Sequence, residues 1–189
     1  KELLDEHGKP YKPSIVRVGG NFQRDVAHVS LERLIEERIK QDYGREYFSG
    51  GGKDEKGLKQ FGSFQDNRRF RRTILDEAKI VCTTLSSVGS EIFRRMKTKF
   101  DVTIIDEAAQ AVEPSTLIPL TEIKTKQAFL VGDPAQLPAT VLSRECAKNN
   151  YDQSLFKRLM DSGFPVHKLS TQYRMLPEIR EFPSDQFYC

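Results

Sequence analysis

Cysteine is scarce in this chain. Cys82, Cys146 and Cys189 are the three present in 189 residues, too few and too scattered for a disulfide framework or a thiolate zinc site, so a reducing compartment is the natural expectation. Long apolar runs are absent as well. No stretch approaches the roughly 20 residues that cross a bilayer, and no membrane is expected among the partners. Excess charge of one sign is also missing: 30 Lys and Arg stand against 27 Asp and Glu, leaving a formal +3. No overall field therefore drives the molecule onto a polyanion, and any nucleic-acid contact has to rest on local clusters. His7, His28 and His167 are dispersed and suggest no shared site. The chain runs from Lys1 to Cys189, which directly follows Phe187 and Tyr188, a pattern expected of a piece cut from a longer domain.

What is present has a clear order. "SIVRV" at 14–18 is a short β-branched run closed by Gly19 and Gly20, which predicts a strand and a turn. Ser30 can then cap a helix in which Leu31, Leu34, Ile35 and Ile39 recur at helical spacing. Residues 41–67 turn polar and glycine-rich and predict a mobile loop. A second helix is expected over 66–78, with Phe70, Ile74, Leu75 and Ala78 on one side, pairing with the first as a hairpin. From Lys79 onward, "KIVCTTL", "DVTIID" and "QAFLVGD" alternate with segments of helical length. That alternation predicts an α/β region with a parallel sheet, and runs this continuously apolar predict strands buried on both faces, with Cys82 in the core.

In open α/β sheets ligands sit at the carboxyl ends of strands, so polar residues just after an apolar run are candidates for chemistry. Asp106 and Glu107 end one run. A carboxylate there can hold magnesium through waters while its neighbour orients or deprotonates an attacking water; solvated acids after a finished strand are the plain alternative. A second exit, "AFLVGDPAQLPATV" at 128–141, places Gly132 for a sharp or left-handed turn, Pro134 to stiffen it, and Gln136 facing the same edge as Asp106. An amide can donate to a phosphate oxygen and accept from water; an ordinary Gly-Asp-Pro turn would look the same. Arg174, after an expected strand and before Pro177, could stabilise charge on a transferred phosphoryl group, or be a surface arginine beside a core tyrosine.

Together and in this order, "DEAAQAVEPSTLIPL", "VGDPAQLPATVLS", "YDQSLFKRL" and "QYRMLPEIREFPSDQFY" resemble motifs II and III, the segment after them, and motif IV of superfamily 1 helicases. The likeness is in particular to the senataxin-like branch of the group that also contains the nonsense-mediated decay helicase, and it covers about residues 79–188. The resemblance implies a RecA-like P-loop NTPase sheet, here incomplete, with an inserted helical subdomain, and ATP and Mg2+ as cofactors. It implies Asp106 as the metal-holding aspartate and Glu107 as the base that activates water. Gln136 and Arg174 are implied as contacts to the terminal phosphate. "CTTLSSVGS" at 82–90 resembles motif Ic, where Thr83 and Thr84 would touch the nucleic-acid backbone, contacts that position without specifying sequence.

Departures from the pattern matter as much. The phosphate cradle G-x-x-x-x-G-K-[ST] does not occur in these residues, and "SGGGKDE" at 49–55, with Asp54 after its lysine, is a decoy. By resemblance the P-loop would precede Lys1 and the second RecA-like domain would follow Cys189. Leu176 stands where the family usually has histidine, which bears on the wiring around Arg174. The expected division is 1–19 as part of the RecA-like core, 20–78 as the helical insertion, and 79–189 as core with motifs Ic, II, III and the start of the motif IV region. Within the insertion, "NRRFRR" at 67–72 could grip a single strand through Arg68, Arg69 and a stacking Phe70, or Phe70 could be core with arginines as its solvated flank. The expected function is a fragment of an ATP-dependent helicase acting on single-stranded RNA or DNA, or an RNA/DNA hybrid, inactive in isolation and nuclear by resemblance, with a cytoplasmic pool left open. The alternatives are an inactive helicase-fold scaffold that binds nucleic acid and a protein-interaction module built on the insertion.

Overall fold

The computed structural model describes residues 4, 7–20, 24–43 and 64–188. Most of the expected 41–67 loop, and the decoy within it, lie outside the described residues. Its two ends are helical instead, at 41–43 and 64–67. The chain divides into two compact units: residues up to 101 together with 118–126, and residues 102–117 together with 127–189.

The first unit is built on a two-stranded parallel sheet. Strand β1 (Ile15–Arg17) pairs with β2 (Ile80–Cys82), Ile15 opposite Ile80 and Arg17 opposite Cys82. Parallel strands need a long crossover, and here it contains helices α1 (Leu31–Tyr43) and α2 (Phe64–Glu77), preceded by a 3-10 turn at Arg24–Val29. Ser30 opens α1 as its spacing predicts: its Oγ accepts the N–H of Arg33 at 3.3 Å. The 3.6-residue period puts Leu31, Ile35 and Ile39 on one face of α1 and Phe70, Ile74 and Leu75 on one face of α2; with Val16 and Ala78 they form a single buried cluster. Leu31, Ile39 and Leu75 are wholly inaccessible to solvent. Ser14 ties the end of α2 to β1, donating from Oγ to the carbonyl of Glu77 at 2.9 Å and accepting at Oγ from the N–H of Lys79 at 3.0 Å. Two short helices follow β2, α3 (Leu85–Val88) and α4 (Glu91–Arg94).

The second unit carries β3 (Val102–Ile105) and β4 (Gln127–Leu130), again parallel, with Ile104 opposite Phe129. Helix α5 (Glu113–Glu122), whose residues from Ile118 onward belong to the first unit, connects them in sequence, with α6 (Arg144–Lys148), α7 (Leu155–Asp161) and α8 (Pro177–Phe187) after β4. Leu155 of α7 is buried, as are Ala108 and Ala109 of the 3-10 turn Ala108–Gln110, against which α7 packs. Four of the five predicted strands are present and each is paired in parallel, but among the described residues they form two two-stranded sheets, with β2 beside β1, and not the one sheet expected from Lys79 onward.

Three further expectations are corrected. The strands are not buried on both faces: Ile104 is 69% and Phe129 52% exposed, so no described element covers that face of the β3–β4 pair. Cys82 is likewise exposed, with a free thiol, and is not core. The strand expected before Arg174 does not form. Residues 164–173 have no regular structure, and Tyr173, read as a core tyrosine in one alternative, is 93% exposed.

Candidate nucleotide site

Parallel pairing aligns the carboxyl ends of β3 and β4, so both strands release polar residues at the same edge. Pairing continues past the strands proper: the N–H of Val131 donates to the carbonyl of Ile105, and the N–H of Ala108 to that of Val131, each at 2.8 Å. The exits pass very close where Gly132 lies. A Cβ at that position would fall 2.8 Å from the Ala109 nitrogen and 3.1 Å from that of Ala108. This corrects the expected reason for the glycine. The left-handed glycines are Gly8, Gly19 and Gly163 among the described residues; Gly132 is needed for close backbone approach.

At the β3 exit, Asp106 and Glu107 are both exposed. The Oδ1 of Asp106 accepts the N–H of Glu107 at 3.1 Å, which fixes the carboxylate against the chain's turn. Glu107 itself is left-handed, at φ 53° and ψ 37°. For a residue with a Cβ that conformation costs on the order of 1–3 kcal/mol, and such outliers gather at functional sites. Its side chain is oriented by Gln110, whose Nε2 donates to Oε2 at 2.9 Å.

The β4 exit is organised around Asp133. Its Oδ1 accepts the N–H of Ala135 at 2.9 Å, while its Oδ2 accepts Nε2 of Gln136 at 2.8 Å and the hydroxyl of Tyr188 at 2.5 Å. Partial burial opposes ionisation of this carboxyl, but the hydrogen bonds from Tyr188, Gln136 and Ala135 outweigh it and hold the group below the usual carboxylate range. The same bond to Asp133, then burial and the carboxylate's charge, pushes the Tyr188 phenol up.

Arg174 lies on an exposed turn shaped by Gln172. The Oε1 of Gln172 accepts the N–H groups of Arg174 at 2.9 Å and of Met175 at 2.8 Å, and its Nε2 donates to the carbonyl of Met175 at 2.7 Å. Leu176 then serves as N-cap of α8 with Pro177 at its first turn. Among the described residues, no hydrogen bond or ion pair joins the Arg174 side chain to Asp106, Glu107 or Gln136. The adjacent strand ends thus bring Asp106, Glu107 and the Asp133–Gln136 loop to one edge, while Arg174 is presented on its own turn.

The candidate nucleic-acid residues belong to the first unit. Thr83 follows β2 with its Oγ1 buried and without a hydrogen-bond partner. Thr84 is exposed at the N-cap of α3 and shares a 2.8 Å hydrogen bond with the Ser87 hydroxyl. Arg68 lies 3.7 Å from the Glu91 carboxylate. The guanidinium of Arg69 stands 5.9 Å from the centroid of the Phe70 ring. Phe70 is 3% exposed and belongs to the core cluster, so of the two readings of "NRRFRR" the ring is core and the arginines are its exposed flank.

Four polar residues of these loops carried no role in the sequence reading. Gln110 was legible in principle, three residues after Glu107 in "DEAAQ", the spacing of one turn. Asp133 and Gln172 stood inside recognised motifs without a partner to explain them. Tyr188 gave no local signal, since its partner is 55 residues away.

Two family models described as AAA domain match this chain, at residues 52–144 and 151–189. Probable helicase MAGATAMA 3 of Arabidopsis thaliana is 48% identical over 186 residues, 98% of this chain and 21% of that protein. Helicase SEN1 of Saccharomyces cerevisiae is 36% identical over 191 residues, covering 99% of this chain and 8% of the relative. ATP-dependent helicase NAM7 of the same yeast is 43% identical over 133 residues, 67% of this chain and 13% of its own length. The chain therefore spans less than a quarter of these relatives.

Proposed function

This chain belongs to the senataxin-like branch of the superfamily 1 helicases, and from that premise we propose that its parent protein hydrolyses ATP to move along a single strand of RNA or DNA, or within an RNA/DNA hybrid. The observation that carries the reading is the left-handed Glu107, held by Gln110 at the end of β3 beside Asp106. A strained, oriented carboxylate next to a second one, at the edge where α/β sheets bind ligands, suits activation of water.

A magnesium ion fits the donor set in one respect: it takes one or two carboxylates together with waters and substrate phosphates rather than a full protein cage, and the exposed Asp106 is such a carboxylate. The ion's contribution when bound is to neutralise charge on the β- and γ-phosphate oxygens. Asp106 would hold it, and Glu107 would take the proton of the attacking water, its carboxylate kept in register by the amide of Gln110. Gln136 donates to the terminal phosphate, and Arg174 stabilises the charge that develops there. Thr84, Arg68 and Arg69 contact the strand's phosphates through their side chains, and Thr83, whose hydroxyl is buried, through its backbone. Residues 20–78 serve as an inserted helical subdomain between two parts of a RecA-like core that lacks its P-loop, so these 189 residues alone turn over negligibly and need the remainder of the parent, including the second RecA-like domain. By likeness to the branch the parent is placed in the nucleus, with a cytoplasmic pool left open.

The test is ATP hydrolysis by the full-length parent, with and without single-stranded RNA, beside a Glu107→Gln form. Loss of a general base costs on the order of a hundredfold or more. RNA-stimulated turnover abolished by the substitution supports the motor. Strand binding with no turnover in either form would mean a fold kept for gripping nucleic acid after its chemistry was lost.

A further inference from the structure

One carboxylate oxygen, Oδ2 of Asp133, accepts two side-chain donors at once, Nε2 of Gln136 at 2.8 Å and the hydroxyl of Tyr188 at 2.5 Å. The other oxygen, Oδ1, is committed to the N–H of Ala135 at 2.9 Å, and the N–H of Gln136 donates to the Asp133 carbonyl at 3.2 Å. The loop's backbone is therefore closed on itself. What remains adjustable is how strongly Oδ2 retains the Gln136 amide. Two donors on one oxygen share its charge, so each weakens the acceptor for the other, and a charged acceptor makes that sharing consequential.

Tyr188 reaches this oxygen from the end of α8, the helix that begins three residues after Arg174. The segment before that helix is tied to the same point: Nζ of Lys168 donates to the Tyr188 carbonyl. Gln172 fixes the Arg174 turn in between. Tyr188 is thus the member of the Arg174-bearing segment that touches the carboxylate holding Gln136.

We propose that Tyr188 is a positioning residue for Gln136, acting through Asp133: by sharing Oδ2 it keeps the glutamine amide aimed but loosely held, free to pass to the terminal phosphate of a nucleoside triphosphate. This rests on the reading of Gln136 as a terminal-phosphate contact. Without the phenol, Oδ2 concentrates on Gln136 and the amide transfers less readily. The cost falls on ligands with a third phosphate and spares those with two. A tyrosine that merely stabilised the loop would affect both alike.

The experiment measures, in the full-length parent, the affinity for a non-hydrolysable ATP analogue and for ADP in the wild type, Tyr188→Phe, Gln136→Ala and the double variant. The ring is retained in Tyr188→Phe, so packing is preserved. Expected is a loss of about fivefold for the analogue, in the range of one hydrogen bond to a charged group, with ADP binding unchanged within about twofold. In the Gln136→Ala background the same substitution should add nothing. Equal weakening of both nucleotides, no weakening of either, or persistence of the effect without Gln136 would overturn the link. A wild type that binds nucleotide but shows no RNA-stimulated turnover overturns the motor reading while the binding cycle still decides the link; one that binds neither nucleotide overturns both.

Discussion

The helix pair Leu31–Tyr43 and Phe64–Glu77 and the segment 164–188 are both rich in large apolar side chains, yet they dispose of them in opposite ways. In the pair, Leu31, Ile39 and Leu75 are fully buried, and the order of the elements follows from the hydrophobic face they share. In the segment, Leu169 is 88% and Phe182 73% exposed. Its order comes from polar contacts: Gln172 on its own turn, Lys168 on the Tyr188 carbonyl, and Tyr188 on Asp133. Burial gives large, salt-insensitive stability, whereas exposed hydrogen bonds and ion pairs give small increments that pH and salt can remove. The two regions should therefore fail differently, and substitutions can show it.

The largest effect is expected at Phe70. Truncating a buried phenylalanine removes its transfer free energy and leaves a cavity, so Phe70→Ala should cost about 3–5 kcal/mol in urea unfolding. The same substitution decides the reading of "NRRFRR": a ring that stacked on bases would, when removed, weaken strand binding with little loss of stability. A change below about 1 kcal/mol would remove Phe70 from the core and with it the contrast between the two regions.

A smaller effect probes the charged side of the comparison within the second unit. Arg158 grips Glu113 through two parallel bonds, Nε to Oε2 at 2.7 Å and Nη2 to Oε1 at 2.8 Å. The hydrogen bond to Arg158 is the main cause that holds the Glu113 carboxyl below its ordinary range; burial opposes it and the guanidinium's charge adds to it. A carboxyl whose folded pKa is depressed contributes stability that is present above its unfolded pKa and is lost as pH falls through the folded value. Because the Arg158 side chain is 46% and the Glu113 side chain 25% exposed, solvent still screens the pair and the contribution is less than about 1 kcal/mol. Glu113→Gln should lower stability by that amount at neutral pH and low salt, and the difference from wild type should vanish in acid and shrink in 1 M salt. A difference that persisted in acid would mean that Glu113 acts through packing.

How much of this was legible in the sequence divides along the same line. The helix pair was legible to within a few residues, because Leu31, Ile35, Ile39, Phe70 and Ile74 recur at the period of the structure they form, and Ser30 announces its start. The strand exits were legible too, since apolar runs ending in "DE" and "GD" mark where backbone leaves a sheet. The exposure of Ile104, Phe129 and Cys82 was not, because an apolar run states what a strand could bury and not what is there to cover it. The strand expected before Arg174 failed for a related reason: "HKLSTQY" has β-branched and aromatic residues but no pairing partner among the described residues. Contacts such as Tyr188 with Asp133 depend on long-range approach and leave no local pattern. The need for Gly132 was visible, but its cause, a passing backbone at Ala109, was not.

The smallest expected effect tests the exposed segment most directly. Leu169 is 88% exposed, beside Lys168, whose ammonium is bound to the Tyr188 carbonyl. If polar contacts alone order this segment, Leu169→Ser removes almost no buried area and should change stability by no more than about 0.5 kcal/mol. The measurement is the urea midpoint at constant slope. A loss approaching that at Phe70 would show that Leu169 is covered in solution, and the segment would then belong with the helix pair as a structure held by burial. An unchanged midpoint, with Phe70→Ala strongly destabilised, would leave the two regions as different in energetics as they are in exposure.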